Sequence, residues 1–266
     1  MAIFAKSRLN KIVGAFFAAS LMLYGGNLAV MNNGSAWTMA IAEAASATAS
    51  VDVDEEIRKM YELSPEWVSN LPAAKTHTQM VVVAGIGDQT AWISLHEKDR
   101  TGKWHQIVTT PGFIGKNGLG KVKEGDSKTP VGTYHFNKAF GILMNPGCKL
   151  PYTQVDENLY WSGDGRPGMK YNEMVNIRDY PELDTGESEH LIDYTLQYQY
   201  CLNISYNESG TPGKGSAIFM HCFGPQKPYT GGCVALPEDK MRQVMQRVEP
   251  ECAVVIDSLE NLGGEF

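Results

Sequence analysis

Hydrophobic segments with the periodicity of β-strands, separated by short turns, constrain the fold of this chain more than any other feature. Residues 80–84 form a continuous Met-Val-Val-Val-Ala run, which is typical of a buried strand. Residues 90–96 alternate between two faces, residues 99–102 (Asp-Arg-Thr-Gly) predict a hairpin turn, and residues 104–109 return as a third strand. Strands joined in this way predict a meander and a mainly β core.

Later segments extend this pattern and add a helix. Residues 131–136, 216–223 and 252–257 are predicted strands, and the regular alternation over residues 194–206 predicts one long strand there. Pro237 is followed by two acidic residues and then by apolar residues at helical spacing, which predicts a helix start. We therefore expect a mainly β fold with one helix near its end.

The first 44 residues have the composition of a signal peptide. Three cationic side chains precede an apolar stretch at residues 12–24, and small residues at 40–44 offer cleavage sites. The apolar stretch has about thirteen residues, fewer than the roughly twenty that span a bilayer. We expect export to the cell envelope or beyond and no stable membrane span in the mature chain. A retained anchor is the alternative.

The rest of the chain is predicted to hold one large domain. Residues 45–77 have the character of a linker with a short helix at 54–63, residues 78–258 are the predicted domain, and residues 259–266 are a surface tail. The net charge of −7 argues against a nucleic-acid partner, since such proteins usually present a basic face.

A histidine and a cysteine near the end of this domain have the arrangement of a nucleophilic active site. His221 ends an apolar strand, and Cys233 follows twelve residues later, after two glycines and before the predicted helix. A neighbouring imidazole can take the thiol proton and so activate the sulfur. Gly231 and Gly232 let the backbone approach a substrate, with the N–H groups of Gly232 and Cys233 aimed at an oxyanion.

These residues resemble the signature of the L,D-transpeptidase (YkuD-like) catalytic domain family. His221 followed by Thr-Gly-Gly-Cys-Val-Ala-Leu at residues 230–236 is similar to the family branch with Thr-x-Gly-Cys-Val-Ala-Leu-Pro. Residues 125–133, Gly-Asp-Ser-Lys-Thr-Pro-Val-Gly-Thr, resemble the Gly-Asp-x-x-Thr-Pro-x-Gly segment that these domains carry upstream. The resemblance covers residues 78–258.

The resemblance implies a YkuD-like β-sandwich with one helix after Cys233, and a two-step acyl transfer. Cys233 would be the nucleophile and His221 the proton acceptor and donor. The implied substrates are peptidoglycan stem peptides, the product is a 3→3 crosslink, carbapenem-type inhibitors would acylate the thiol, and no metal or organic cofactor is needed. Many members have a histidine and an arginine where this chain has Gly231 and Ala235.

Further side chains are candidates for substrate binding. Tyr229, Thr230 and Gly231 lie just before the cysteine in the sequence. Residues 146–176 form a long aromatic-rich loop, and irregular segments of this length in compact domains are often functional. Within that loop, we predict that Trp161 stacks on a sugar or peptide, and that an Arg166 guanidinium pairs with a substrate carboxylate.

The sequence leaves three questions open. Water as the acceptor would make the chain an L,D-carboxypeptidase, and a degraded site would make it a non-catalytic cell-wall-binding protein. The four cysteines other than Cys233 are enough for two disulfides in an exported protein. No Cys-x-x-Cys element is present, so we expect no zinc site.

Overall fold

The computed structural model describes residues 52–224 and 227–265, so the signal peptide predicted at 1–44 lies outside the described residues. Those residues fall within one compact unit, Asp52–Phe266. In this part of the chain no helix has the length and apolar character needed to cross a bilayer.

Within these residues the α-helices are α1 Val53–Arg58, α2 Glu66–Asn70 and α3 Glu238–Arg247, and 3-10 turns occur at Pro72–Lys75, Leu191–Asp193 and Gln197–Gln199. The strands are β1 Gln79–Gly85, β2 Thr90–Lys98, β3 Trp104–Phe113, β4 Gly132–Gly141, β5 Tyr152–Gln154, β6 Leu159–Trp161, β7 Met174–Asn176, β8 Glu189–His190, β9 Cys201–Ile204, β10 Phe219–Cys222, β11 Val234–Leu236 and β12 Ala253–Ser258.

Nine of these strands form one sheet that closes on itself. The order is β12-β1-β2-β3-β11-β10-β9-β4-β5, and β12 also pairs with β4. The two layers expected of a sandwich are therefore joined into a barrel, with β5 added beyond β4. Strands β7, β6 and β8 form a separate small sheet in that order. The mainly β fold with one helix after Cys233 is confirmed.

Strand β1 is covered on both faces, which explains its uninterrupted hydrophobic run. Val81 and Val83 belong to the barrel core, whereas Met80 and Val82 pack in a second cluster with Val68 of α2. Successive side chains of a strand point to opposite faces, so a strand buried on both sides needs an apolar residue at every position. Each such side chain contributes about 1.5–3 kcal/mol when fully buried.

Helix α3 begins where the sequence predicts. Pro237 precedes the first turn, where Glu238 and Asp239 lie close to the positive end of the helix dipole. Met241 and Val244 bury the apolar face in the barrel core. The helix contacts β10 and β3, so it supports the strands nearest to the predicted site.

The long strand predicted at residues 194–206 is wrong. Gln197–Gln199 is a 3-10 turn, and the strand begins only at Cys201. The rings of Tyr194 and Tyr198 stack with centroids 4.5 Å apart. Residues four apart in a strand are separated by about 13 Å, so this contact requires a turn. Aromatic packing overrides the local alternation here.

The helix predicted at residues 54–63 is shorter than expected. Helix α1 ends at Arg58, and Leu63 instead forms a β-bridge with His105 of β3. The Arg58 Nε donates to the Glu97 carboxylate of β2 at 3.0 Å, which ties the helix to the barrel. Packing against the sheet therefore ends the helix after six residues.

All five cysteines are free thiols in the structure. Cys148 is half-buried and the other four are buried. The two disulfides that the sequence left open are not formed.

Candidate active site

Two neighbouring parallel strands place Cys233 and His221 on one face of the sheet. Strand β10 pairs with β11 so that Met220 lies opposite Val234, and Cys233 directly precedes β11. The same register places Cys233 opposite Phe219, two residues before His221 and therefore on the same face as it. The other face points into the barrel core, with Met220, Cys222, Val234 and Leu236.

A cavity of about 630 Å³ opens on this face, within the range of roughly 300–1,000 Å³ usual for ligand pockets. Both Cys233 and His221 line it. Their residual exposures are 8% and 7%, so each reaches the cavity from an otherwise buried position. The wall also carries charges of both signs, from Lys116, Lys121, Lys227, Glu124, Glu187 and Glu189.

The carbonyl of Cys222 fixes the protonation of the His221 ring. Nδ1 of His221 lies 2.7 Å from that oxygen, and a carbonyl only accepts, so Nδ1 carries the proton and donates it. The other nitrogen, Nε2, is then an unprotonated acceptor. Burial lowers the pKa of His221 to about 4 against the opposing effect of the Cys222 hydrogen bond, so the ring is neutral at pH 7.

The Cys233 thiol is held by backbone groups of the strand edge. Sγ accepts from the Phe219 N–H at 3.3 Å and donates to the Ala217 carbonyl at 3.1 Å. Burial, and secondarily the charge of Glu189, raises the pKa of the thiol to about 12, despite opposing effects of the Phe219 N–H and Lys121. The resting pair is therefore a neutral thiol and a neutral imidazole.

Hydrogen bonds from two threonines hold the turn that carries Cys233. Thr230 Oγ1 donates to the Cys233 carbonyl at 2.7 Å and accepts from the Gly232 N–H at 3.1 Å. Gly232 has φ of +143°, and a Cβ there would lie 2.8 Å from the Lys128 carbonyl oxygen. Thr129 Oγ1 donates to the Gly232 carbonyl at 2.8 Å. Only glycine satisfies the conformation and the space at this position.

The upstream motif forms the loop against which this turn is packed. The Asp126 carboxylate accepts backbone N–H groups from Val122, Lys123 and Lys128, and the ammonium of Lys121 at 3.0 Å. These donors hold the pKa of Asp126 well below its usual range, against the opposing effect of burial. The aspartate is thus a structural anion that shapes the loop.

The predicted binding residues differ in where they lie. Tyr229, Thr230 and Gly231 line the cavity together with Cys233 and His221, and the Lys116 ammonium lies 5.6 Å from the Tyr229 ring centroid. Trp161 also forms part of the wall. It is not the exposed stacking platform expected from sequence, because it is only 2% exposed and packs edge-on against Phe219 at 4.7 Å.

Arg166 is engaged away from the cavity lining. Its guanidinium donates through Nε to the Asp164 carboxylate at 2.8 Å, and through Nη2 to the Glu182 carbonyl at 2.6 Å. Asp164 is buried, so the arginine completes an ion pair that stabilises the long loop.

Sequence reasoning missed Glu189, Tyr194 and Tyr198, which all line the cavity. The two tyrosines were assigned to the face of a strand, and the carboxylate lies in a segment without a recognisable motif. The dense tyrosine content of residues 194–200 was the signal available. In the part of the chain that the structure describes, no three His, Cys, Asp or Glu side chains are grouped so as to hold a metal ion.

Comparison with known proteins identifies the family of this chain. Residues 80–256 match the family model of the YkuD L,D-transpeptidase catalytic domain. No curated protein sequence matches the chain. Among solved structures it is similar to the Ldtfm–avibactam carbamoyl enzyme and to a cysteine-to-serine mutant of Enterococcus faecium L,D-transpeptidase, each with 15% identity and a TM-score of 0.33. These matches cover 68% of this chain and 49% and 50% of those, so this chain spans about half their length.

Proposed function

Because the chain belongs to the YkuD L,D-transpeptidase catalytic domain family, we propose that residues 78–258 act as a cysteine L,D-transpeptidase on peptidoglycan stem peptides. One observation carries the proposal: Cys233 and His221 share one face of adjacent strands in the wall of one cavity. Nucleophilic acyl transfer needs this pairing of a thiol with a base. The site of action is the cell envelope or the space outside the cell, where the stem peptides are.

In the first step, Cys233 Sγ attacks the carbonyl of the third stem residue, a diamino acid. A thiol with a raised pKa carries little thiolate, so proton transfer to His221 Nε2 must accompany attack. The thiol turns from the Ala217 carbonyl towards the imidazole to do so. His221 then donates this proton to the departing D-amino acid as the C–N bond breaks, which leaves a thioester.

The developing oxyanion is stabilised by backbone N–H groups at Cys233 and Gly232. The Gly232 N–H already donates to Thr230 Oγ1, so it must share its proton with the oxyanion or leave the threonine. Thr230 keeps its own bond to the Cys233 carbonyl in either case.

In the second step, an acceptor amine attacks the thioester. His221 Nε2 takes a proton from the attacking nitrogen and returns it to the sulfur, and the product is a 3→3 crosslink. Tyr229, Thr230 and Gly231 are the proposed substrate contacts, and the largely buried Trp161 is proposed to support the cavity wall. Arg166 is no longer a direct contact, because its guanidinium is already paired.

Hydrolysis is the second candidate function. Water attacking the same thioester gives an L,D-carboxypeptidase, and the mixed charges and open wall of the cavity admit water. A non-catalytic wall-binding role is disfavoured, since a cavity with an accessible base and thiol is retained.

The test uses the full chain with a disaccharide-tetrapeptide, and products are read by mass spectrometry. A peptide dimer that lacks one D-Ala supports transpeptidation, whereas tripeptide alone supports hydrolysis. Cys233→Ala must abolish both products and the carbapenem adduct. Cys148→Ala removes a half-buried thiol elsewhere and must retain them. Turnover by Cys233→Ala would disprove the mechanism.

A further inference from the structure

A carboxyl and a phenol in the cavity wall have no part in the steps above. Glu189 belongs to β8, where it pairs opposite Trp161, and Tyr198 belongs to the 3-10 turn before β9. The Tyr198 hydroxyl donates to Oε2 of Glu189. Both residues line the cavity that contains Cys233.

Tyr198 contacts His221, and Glu189 interacts electrostatically with Cys233. The Tyr198 ring meets the His221 ring edge-on, with centroids 5.6 Å apart and planes at 69°. The charge of Glu189 acts on the Cys233 thiol, whose pKa it raises in addition to the larger effect of burial. The carboxyl is therefore within electrostatic reach of the sulfur that holds the acyl group.

One oxygen of Glu189 remains open to a ligand. Oε2 accepts from Tyr198, whereas no donor among residues 52–224 and 227–265 is bonded to Oε1. Glu189 is half-buried and lines the cavity. A half-buried carboxylate in a cavity wall is suited to accept from an ammonium group.

The proton balance of the second step leaves one proton that a group of this kind can accept. An acceptor amine enters as R–NH3⁺ at neutral pH and must lose one proton before its nitrogen can attack. A second proton leaves as the amide forms, and His221 carries that one to the Cys233 sulfur. The reaction of R–NH3⁺ with the thioester therefore yields amide, thiol and one further proton, for which His221 has no capacity.

We propose that Glu189 is this second base: its carboxylate binds the acceptor ammonium through Oε1, accepts its first proton, and releases that proton to water after the amide has formed. Tyr198 holds the carboxylate in position through Oε2. The inference rests on the proposed transpeptidation and deepens it, because it selects a cationic primary amine over water as the acceptor.

The electrostatic setting suits a base that works near neutral pH. Burial raises the pKa of Glu189 to about 7, the Tyr198 hydrogen bond opposes this shift, and Glu124 adds to it. A base is most effective when its pKa is close to the working pH. Among the described residues, Glu189 interacts electrostatically with the titratable groups Glu124, Tyr194, Tyr198, Cys201 and Cys233.

The experiment compares Glu189→Gln with the unaltered full chain, using a tetrapeptide donor and two acceptors. One acceptor is a lysine amide, charged at pH 7, and the other is hydroxylamine, already neutral at pH 7. The ratio of amine product to hydrolysed tripeptide is measured from pH 5 to 9. Glu173→Gln makes the same charge change at an exposed side chain on the neighbouring part of the small sheet and serves as the control.

We expect Glu189→Gln to lower the lysine-amide ratio at pH 7 by roughly 100-fold, the size of a general-base contribution. The hydroxylamine ratio should stay unchanged, carbapenem acylation of Cys233 should not slow, and the rise of aminolysis around pH 7 should disappear. Glu173→Gln should behave as the unaltered chain.

An equal loss with both amines, or slower acylation, would make Glu189 a structural residue and overturn the inference. An unchanged lysine-amide ratio would also overturn it, while leaving transpeptidation intact. If the unaltered chain forms no amide with either amine, the proposed function itself fails, and the inference fails with it.

Discussion

The hydroxyl of Thr129 donates to the carbonyl oxygen of Gly232 at 2.8 Å, across 103 positions of sequence. The same hydroxyl accepts from the Gly115 N–H at 2.9 Å, and Thr129 is fully buried. The upstream motif therefore supports the backbone next to Cys233 directly. The threonine therefore helps to build the turn that carries Cys233.

Replacing the Thr129 hydroxyl tests whether it supports the backbone next to Cys233. Thr129→Val keeps the shape of the side chain but leaves the buried Gly232 carbonyl and Gly115 N–H without this partner, which we expect to cost about 1–3 kcal/mol. Urea unfolding measures the loss, and carbapenem acylation should slow because Cys233 is less well positioned. Thr153→Val on β5, at a half-buried position, is the control. Equal effects of the two variants would contradict the assignment.

Alanine substitutions at the adjacent Gly231 and Gly232 distinguish the effect of backbone strain from the effect of simply losing a glycine. Gly232→Ala forces φ of +143° on an alanine and places its Cβ 2.8 Å from the Lys128 carbonyl. We expect the free energy of unfolding to fall by about 1–3 kcal/mol, which is the usual cost of a strained backbone conformation. We also expect Cys233 to be displaced. Gly231→Ala meets no atom within 4 Å and should keep the melting temperature of the unaltered chain. Melting curves of both variants decide.

A buried histidine should make the domain sensitive to acid. His96 is fully buried between the hydroxyls of Ser64 and Ser94, and burial lowers its pKa to about 4 from 6.5. The unfolded chain takes up this proton first, so stability is full above pH 6.5 and falls as the pH drops towards 4, by roughly 3 kcal/mol for this group.

Urea unfolding at pH 7 and pH 4.5 measures that loss. His96→Gln removes the titrating group, so the difference in unfolding free energy between the two pH values should shrink. His135→Gln, at an exposed side chain, is the comparison. An undiminished difference in the His96 variant would disprove the explanation.

The contribution of Glu189 to stability should change with pH in the opposite direction to that of His96. Its pKa is raised to about 7 from 4.5, chiefly by burial, so the folded state prefers the protonated carboxyl. The associated stability is full below pH 4.5 and is lost as the pH rises through 7. Glu189→Gln should therefore have a higher melting temperature than the unaltered chain at pH 8, which corresponds to at most about 3 kcal/mol in the free energy of unfolding. At pH 4 the two proteins should have the same melting temperature. A lower melting temperature at pH 8 would refute this.

The sequence predicts most strands, and it singles out Cys233 and His221, because both inferences depend on local patterns. The run at β1, the turn before β3 and the helix start at Pro237 are each encoded within a few residues. Cys233 and His221 were recognisable because their neighbours leave few other roles for a thiol and an imidazole. The barrel closure between β12 and β4 has no such local signal, since it joins segments more than a hundred residues apart.

The misplaced residues show what local reasoning lacks. Tyr194 and Tyr198 alternate like a strand, yet their rings stack on each other and line the cavity. Trp161 looked like an exposed platform, but Phe140 and Phe219 enclose it. Tyr198 and Trp161 both pack against Phe140 and Phe219, which come from distant segments, so tertiary packing decides the conformation. Glu189 has no motif, and only the cavity reveals it.

The pairing of β1 with β12 has a consequence for the timing of folding. The first barrel strand, Gln79–Gly85, is held in register by the last one, Ala253–Ser258. The barrel therefore cannot close until the chain has been synthesised as far as Ser258. Contacts of such long sequence separation form slowly. If the chain is exported as proposed, slow closure of the barrel leaves the chain unfolded during transport across the membrane. Cys233 and His221 then come together only after export.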